Sequence, residues 1–166
     1  MAVSEQQRAQ VARLIGREPR GLEAIPVSDD AGVPRVIRVA SLVDGKPFPT
    51  LFWLVDADLN YRIDVVEAGG LIKRLQQRID EDPELQAGMT ADHQSHIRLR
   101  DSFITEEQRQ ALADGGFAKA LSGRGIGGIA DFTRIRCLHT WYAAHLVEPN
   151  TVGQMLDAYW QAGQQQ

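Results

Sequence analysis

GRGIGGIADFTRIRCLHTWYAAHL, residues 123–146, is the stretch from which we interpret the fold of the whole chain. It combines a glycine cluster, three arginines, the only cysteine and two of the four histidines. From about Asp131 the pattern predicts a helix, because apolar residues between Ile135 and Leu146 recur at the spacing of a core-facing surface. The histidines of this segment then lie at the edges of the apolar surface, where a pocket wall is expected.

The spacing of the reactive side chains limits their joint chemistry on such a helix. Cys137 and His139 are two residues apart and therefore point to nearly opposite sides. No pair among Cys137, His139 and His145 has the spacing of three or four that lets helical neighbours share a metal ion. We therefore expect no metal and no cofactor here, and a structural role for Cys137 is favoured over a nucleophilic one. His139 is the candidate general acid or base.

The glycine loop formally matches a phosphate-binding pattern. Its spacing is G-x-G-x-x-G with one additional glycine, in the order Gly123, Gly125, Gly127, Gly128. A dinucleotide site would require a preceding strand, whereas FAKALS before the loop is typical of a helix. The remaining hypothesis is that the loop leads into a helix N-terminus and binds an anion, with Arg124 and Arg136 adding positive charge. For the loop alone, a flexible connection between helices is the favoured interpretation.

Composition indicates an ordinary globular protein. A length of 166 residues with 43% hydrophobic and 24% charged residues suits one domain over residues 1–166. The net charge of −4 argues against nucleic-acid binding. The N-terminus lacks an apolar signal segment and no apolar run is long enough to cross a membrane, so we expect a cytoplasmic protein without a membrane partner. Residues 1–4 and 161–166 are expected to be disordered.

The order of patterns predicts an α+β fold. A helix over 5–15 precedes three strand-like runs at 22–27, 35–42 and 50–55, which we expect to form a small, mainly antiparallel sheet of three to four strands. From about Asp58 onwards the period becomes helical. About six helices are therefore expected to dominate the C-terminal two-thirds of the chain.

Two further segments supply candidate site residues. The loop PFPT at 47–50 is stiffened by two prolines, and Phe48 and Thr50 are ligand candidates there, although an aromatic residue beside a buried strand is more often part of the core. The long helix over 83–103 carries His93 and His96 on one surface beside Arg100. Two histidines are too few to predict a metal site, and a surface or interface role is favoured.

The resulting hypothesis is a cleft that binds or hydrolyses a phosphorylated or otherwise anionic small molecule. The PFPT loop, the long helix and the glycine-led helix would meet at this cleft. The catalytic candidates are His139, Cys137 and His93, and the ligand-binding candidates are Arg124, Gly125, Gly127, Gly128, Arg136, Arg100, Phe48 and Thr50. The alternative hypothesis is a non-enzymatic interaction protein, and the sequence does not predict an oligomeric state.

The order of several blocks resembles a bacterial family catalogued as domain of unknown function 501. The blocks are DGKPFPTLFWL at 44–54, DPEL at 82–85, H-x-x-H-x-x-x-R at 93–100, GIGG at 125–128 and RCLH at 136–139, within about residues 14–153. The resemblance implies no established activity. Some members are encoded near a septum-formation protein and an exopolyphosphatase, which implies a link to cell division, the envelope or polyphosphate.

The chain also departs from the family pattern. Many members carry Cys-x-Cys-Gly before the second strand and a further cysteine after the aromatic strand. With the cysteine of the RCLH block these make four, a number that suits zinc or an iron–sulfur cluster. Here the corresponding positions are 28–32 and about Asp56, and only Cys137 remains. The resemblance therefore implies that this metal is lost, unless Asp29, Asp30 and Asp56 hold a harder cation.

Overall fold

A computed structural model describes residues 2–164, which form an α+β fold, as predicted. The strands are β1 (Leu22–Ser28), β2 (Pro34–Val39), β3 (Leu42–Val43), β4 (Lys46–Pro47) and β5 (Phe52–Leu54). The helices are α1 (Glu5–Ile15), α2 (Ala57–Ala68), α3 (Leu71–Asp80), α4 (Pro83–Phe103), α5 (Glu106–Asp114), α6 (Ala118–Ser122), α7 (Leu138–Val147) and α8 (Thr151–Gln164), with a 3₁₀ turn at Ile126–Gly128. Within this range there are thus eight α-helices, where about six were expected.

The strands form a three-stranded sheet in the order β1-β2-β5 and a separate pair β3-β4, all antiparallel. Val36 of β2 is paired with Leu54 of β5 in the register of the larger sheet. The small antiparallel sheet predicted from the sequence is therefore confirmed. Pro47 of the PFPT segment lies in β4 opposite Leu42, and residues 48–51 then lead from β4 to β5.

Side-chain caps determine where several helices begin. Ser4 and Gln7 form the capping box of α1, and Thr105 and Gln108 form that of α5, as their spacing predicts. The side chain that caps α8 is that of Asn150. Thr151 is the first residue of that helix, and Asn150 Oδ1 accepts the N–H of Gly153 at 2.7 Å in the manner of an N-cap.

Two hydrophobic clusters hold these elements together. The larger one joins the inner surface of β2 and β5 to α2, α3, α4, α7 and α8, with Leu138 and Trp141 of α7 near its centre. The smaller one lies under α1, where Val11 packs against Ile37 and Val55. Because α7 contacts both the sheet and α8, its N-terminus is held in a fixed place.

The predicted helix from Asp131 is wrong, because α7 begins only at Leu138 and residues 129–137 are not helical. Gln76 of α3 explains the difference. Its Oε1 accepts the Ile135 N–H at 2.9 Å, and its Nε2 donates to the Thr133 carbonyl at 2.8 Å. The buried side-chain amide of Gln76 satisfies main-chain groups of the segment, and Ile135 is buried although the backbone there is not helical. The apolar residues therefore have the spacing of a helix without forming one.

At the C-terminal end, α8 includes residues 161–164, which the sequence analysis expects to be disordered. Ser4, also expected to be disordered, caps α1. The predicted disorder of residues 1, 165 and 166 lies outside the described residues. Among residues 2–164, no helix combines the length and apolar content that a bilayer span requires.

Candidate functional site

The PFPT loop, the long helix and the glycine loop meet at a packed junction, where a cleft was expected. Arg100 of α4 has an exposed fraction of 0% and donates to the Pro49 carbonyl at 3.1 Å and to the Leu121 carbonyl. On the other side of the loop, a Cβ added at Gly128 would lie 3.0 Å from Pro49. Burial lowers the pKa of Arg100, and its two terminal nitrogens, Nη1 and Nη2, donate to these main-chain carbonyls. The structure thus places Arg100 in a connecting role inside the fold.

His93 lies in the same junction. Its ring packs between Phe132 and Trp141, with centroid distances of 4.5 and 4.8 Å, and its Nδ1 accepts the Ile126 N–H at 3.0 Å. A Cβ at Gly125 would overlap this ring, so glycine is required there to leave space for His93. Burial lowers the pKa of His93 to about 4. The imidazole is therefore neutral at physiological pH and serves packing.

Phe48, Thr50 and His96 also pack against other parts of the fold. Phe48 stacks on Trp53 at 5.8 Å within the smaller hydrophobic cluster, and Thr50 lies half-buried beside Gly128. His96 is buried against Phe52, and burial lowers its pKa to about 3. None of these side chains lines the groove described below.

The two histidines of α7 have different surroundings. His145 is buried, its Nε2 lies 2.7 Å from Asp157 Oδ2, and its Nδ1 accepts the Asn150 N–H at 3.0 Å. These bonds occupy both nitrogens in fixing the connection between α7 and α8. His139, in contrast, retains 26% of its side-chain exposure. Of the two, only His139 has the access that chemistry requires.

Cys137 and His139 are adjacent in space, which corrects the prediction that they point apart. Cys137 is the N-cap of α7 with an extended backbone (φ −152°), so its Sγ lies 3.5 Å from His139 Nδ1. Two carboxylates of α2 complete the cluster. Glu67 Oε1 is 3.1 Å from His139 Nδ1, and Asp64 Oδ1 is 2.8 Å from His139 Nε2. Asp64 and Glu67 reach the same ring because residues three apart share one surface of a helix.

Electrostatic coupling within this cluster shifts both titrating groups. The hydrogen bond with Cys137 raises the pKa of His139 to about 9, and Glu67 and Asp64 act in the same direction against the effect of burial. Burial raises the pKa of Cys137, but the hydrogen bond with His139 and the Thr140 N–H lower it by more, so the net shift is downward. Each of the two groups therefore stabilises the charged form of the other.

The cluster also has a ligand set that suits a metal. One ligand atom each from Glu67, Cys137 and His139 lies within 4.8 Å of the others. The helical spacing that disfavoured a shared ion does not exist, since Cys137 precedes the helix and Glu67 comes from another element. The sequence signal that points to the cluster is the pair Asp64 and Glu67 on one helix surface, which sequence reasoning missed.

The four-cysteine set implied by the resemblance does not fit this chain. Asp29 Oδ1 accepts the N–H groups of Ala31 and Val33 at 2.9 Å and closes the turn between β1 and β2. Asp56 caps α2 and binds Arg35 Nε at 2.8 Å, and together these bonds outweigh burial and lower its pKa. The aspartates at these positions are thus engaged within the fold and form no metal-capable group among the described residues.

An open groove of about 920 Å³ lies between α3 and the segment 129–136. Residues from both sides line it: Glu67, Gly70, Ile72, Lys73, Gln76, Gln77, Asp80, Arg124, Ile129, Ala130, Asp131, Arg134, Ile135 and Arg136. Arg124 and Arg136 were predicted to bind a ligand, and the structure places both here. Gly125, Gly127 and Gly128 do not line the groove. Glu67 belongs to both the groove and the cluster, so the two features are contiguous.

Positive charge in the groove is not neutralised by ion pairs. Its cations are Lys73, Arg124, Arg134 and Arg136, and within residues 2–164 none of them forms a salt bridge with a carboxylate. All three acids in the groove contact another group, and Glu67 is the one that contacts His139. Asp80 accepts from Gln76, and Asp131 accepts from Thr133. The groove therefore offers unpaired cations beside carboxylates that other groups hold.

The N-terminus of α3 adds free N–H groups to the groove. Gly70 precedes this helix with φ +84°, and no side chain in the described part of the chain caps it. Gly70, Ile72 and Lys73 all line the groove. The predicted glycine loop leading into a helix N-terminus is therefore wrong for residues 123–128, which a non-helical segment follows, and Gly69-Gly70, for which it was not predicted, has that arrangement instead. A glycine pair followed by Lys73 was the available signal.

The fold and the site together define an α+β protein with a cationic groove ending at a cysteine–histidine–carboxylate cluster. The chain belongs to the family described as Protein of unknown function (DUF501), whose model matches residues 25–158. That range includes every element that lines the groove or contributes to the cluster. A comparison with curated proteins and one with solved structures gave no significant match.

Proposed function

We propose that this protein binds a phosphorylated or otherwise anionic small molecule in the groove between α3 and residues 129–136. The observation that carries the proposal is the group of four groove cations that form no salt bridge within the described residues. The chain as a whole has a net charge of −4, so carboxylates are abundant. Cations that remain unpaired in a concave surface create a local positive potential that attracts anions.

The kinds of donor in the groove favour phosphate. Arg134 and Arg136 carry planar guanidinium groups, which bind phosphate or carboxylate oxygens through two parallel hydrogen bonds. The uncapped N-terminus of α3 supplies main-chain N–H groups and a partial positive charge beside Lys73. A volume of about 920 Å³ is at the upper end of the usual range for small-molecule sites.

The cluster at the end of the groove favours hydrolysis over binding alone. Glu67 lines the groove and contacts His139, and Arg136 of the groove precedes Cys137 in the chain. An anion held by Arg136 would therefore lie close to groups that can transfer a proton or attack a phosphoryl or acyl centre. Asp64 on the far side of the imidazole fixes the orientation of His139.

A thermal-shift and calorimetric panel tests the proposal, with inorganic phosphate, pyrophosphate, short polyphosphates and nucleotides added in the presence of a chelator. We expect stabilisation by at least one phosphate compound, weakening as salt rises. Lys73→Ala and Arg136→Ala should each weaken binding about tenfold, corresponding to loss of one charged contact. Arg78→Ala, on the same helix but outside the groove, is the control. Binding that is equal in all three variants, or no binding by any compound, would contradict the proposal.

An interaction role without catalysis is the second candidate function. On α2, Tyr61 and Val65 are 68% and 52% exposed and lie one helical turn apart, an uncommon pair for a solvated surface. Sedimentation at rising protein concentration tests whether this surface binds a second copy. Self-association that Tyr61→Ser abolishes would favour this function, and a monomer at all concentrations would count against self-association.

A further inference from the structure

We infer that Glu67, Cys137 and His139 form a binding site for a zinc-type divalent metal ion, with Asp64 as the carboxylate that orients the histidine. The three ligand atoms come from α2 and from the first residues of α7 and lie within 4.8 Å of one another. Thiolate, imidazole and carboxylate are the three ligand types that zinc takes in proteins.

Two of the three separations between the ligand atoms match a tetrahedral ion, and the third, between the Cys137 sulfur and a Glu67 oxygen, is within 4.8 Å. Bond lengths of about 2.0–2.3 Å around such an ion place neighbouring sulfur and nitrogen ligands about 3.5 Å apart, and nitrogen and oxygen ligands about 3.3 Å apart. Cys137 Sγ and His139 Nδ1 are 3.5 Å apart, and His139 Nδ1 and Glu67 Oε1 are 3.1 Å apart. Small rotations of these half-exposed side chains would bring all three onto one ion.

The hydrogen bonding of His139 supports the same assignment. Its Nδ1 faces two acceptors, the sulfur of Cys137 and Oε1 of Glu67, but a ring nitrogen carries at most one proton. A divalent cation between the three atoms binds all of them at once and removes the repulsion between the thiolate and the carboxylate. A shared ion thus explains why the sulfur of Cys137 and a carboxylate oxygen of Glu67 both lie close to one ring nitrogen.

Asp64 provides the outer contact that zinc-binding histidines commonly have. Its Oδ1 lies 2.8 Å from Nε2, the ring nitrogen that faces away from Cys137 and Glu67. A histidine that binds metal through one nitrogen usually donates the N–H of the other to a carboxylate, which fixes the tautomer and raises the basicity of the ligand. Asp64 is therefore a positioning residue.

Three protein ligands leave a fourth position for water or a ligand oxygen, as in catalytic zinc sites. If the groove binds an anion, as proposed above, this position would face it, because Glu67 lines the groove. The metal site itself rests only on the cluster, and its test contains no anion. Failure of anion binding and failure of metal binding are therefore separate results.

Zinc titration of metal-free full-length protein against a chromophoric chelator tests the inference. We expect one Zn²⁺ per chain, and we expect Cys137→Ser, His139→Ala and Glu67→Gln each to weaken binding about 100-fold. Asp64→Asn should weaken it about 10- to 100-fold through the outer contact. Asp58→Asn, on the same helix but outside the cluster, should leave the affinity unchanged.

A spectroscopic readout separates loss of a ligand from loss of the fold. Co²⁺ in place of Zn²⁺ should give a thiolate-to-cobalt absorption band in the wild type that is absent in Cys137→Ser, while far-UV circular dichroism of the metal-free variants stays native. No stoichiometric binding of zinc, or binding and a cobalt spectrum that Cys137→Ser leaves unchanged, would overturn the assignment.

Discussion

Residue 137 illustrates how local backbone geometry controls chemistry. As the extended N-cap of α7, Cys137 directs its sulfur back to His139, two residues further on. The same two side chains on a continuous helix would point to opposite sides. The single step from non-helical to helical backbone at Leu138 therefore creates the cysteine–histidine pair, and Gln76 makes that step possible by satisfying the segment before it.

Gly125 tests the packed junction at the level of one residue. A Cβ there would overlap the ring of His93, so we expect Gly125→Ala to lower the free energy of unfolding by about 1–3 kcal/mol. Gly123→Ala is the matched control in the same loop, since its nearest neighbour would be the Lys119 carbonyl at 3.9 Å. Urea denaturation measures both variants, and equal stabilities would contradict the packing described for His93.

The two buried histidines of α4 predict an acid-sensitive fold. The pKa values of His93 and His96 lie at about 4 and about 3 in the folded protein, below the ordinary value of 6.5. Below pH 6.5 these two histidines bind protons in the unfolded chain but stay neutral in the folded chain. The contribution of these two histidines to stability is therefore complete above pH 6.5 and falls as the pH is lowered towards their folded pKa values, by about 1 kcal/mol per pH unit for each histidine.

Urea denaturation at pH 7.5, 6.0 and 5.0 checks this dependence. His96→Gln should reduce the slope of stability against pH by about half, whatever its effect at pH 7.5, because only one of the two histidines with a lowered pKa remains. A slope that the substitution leaves unchanged would show that other groups govern the acid sensitivity.

At the level of elements, Gln76 connects α3 to the segment 129–137 and so holds both sides of the groove together. Gln76→Ala leaves the Ile135 N–H and the Thr133 carbonyl without their partner. We expect a loss of about 1–3 kcal/mol in the free energy of unfolding. Faster amide exchange should appear in residues 129–137, and phosphate binding should weaken.

Gln77→Ala is the control for this prediction, because Gln77 is the exposed neighbour on the same helix. Its stability should stay within about 0.5 kcal/mol of the wild type. If the two glutamine variants behave alike in urea denaturation and amide exchange, Gln76 does not hold the segment.

Elements with local signals could be predicted from the sequence. Ser4 and Gly16 set the limits of α1, Pro83 marks the start of α4, and Thr105 with Gln108 marks that of α5, because caps act over three or four residues. The segment before α7 could not be predicted. Its main-chain groups bond to the side chain of Gln76, which is 59 positions away from Ile135, and no local sequence pattern indicates that bond.

On the scale of the whole molecule, the site depends on contacts between distant parts of the chain. The cluster joins α2 to the start of α7, and Asp64 and His139 are 75 positions apart in the chain. The groove joins α3 to residues 129–136. Sequence reasoning selected His139, Cys137, Arg124 and Arg136, because their residue types suit anion chemistry. It missed Glu67, Asp64 and Lys73, because a carboxylate pair three residues apart and a glycine pair before a lysine are also common on ordinary solvent-facing helices.

Net charge also describes this molecule poorly. A total of −4 predicts no affinity for anions, yet four unpaired cations gather in one groove. Local potential depends on which charges are paired, and ion pairs within the described residues leave these four out. An acidic protein can therefore bind an anion where its cations form no ion pairs with its own carboxylates.

Mapping of amide shifts by NMR tests most directly the proposal that the groove binds an anion. Isotope-labelled protein is titrated with pyrophosphate in the presence of a chelator. The largest shifts are predicted at Gly70, Ile72 and Lys73 and in the segment 129–136, and they should diminish in Lys73→Ala. Shifts concentrated at Gly125–Gly128 around His93, or no shifts at saturating pyrophosphate, would contradict the account.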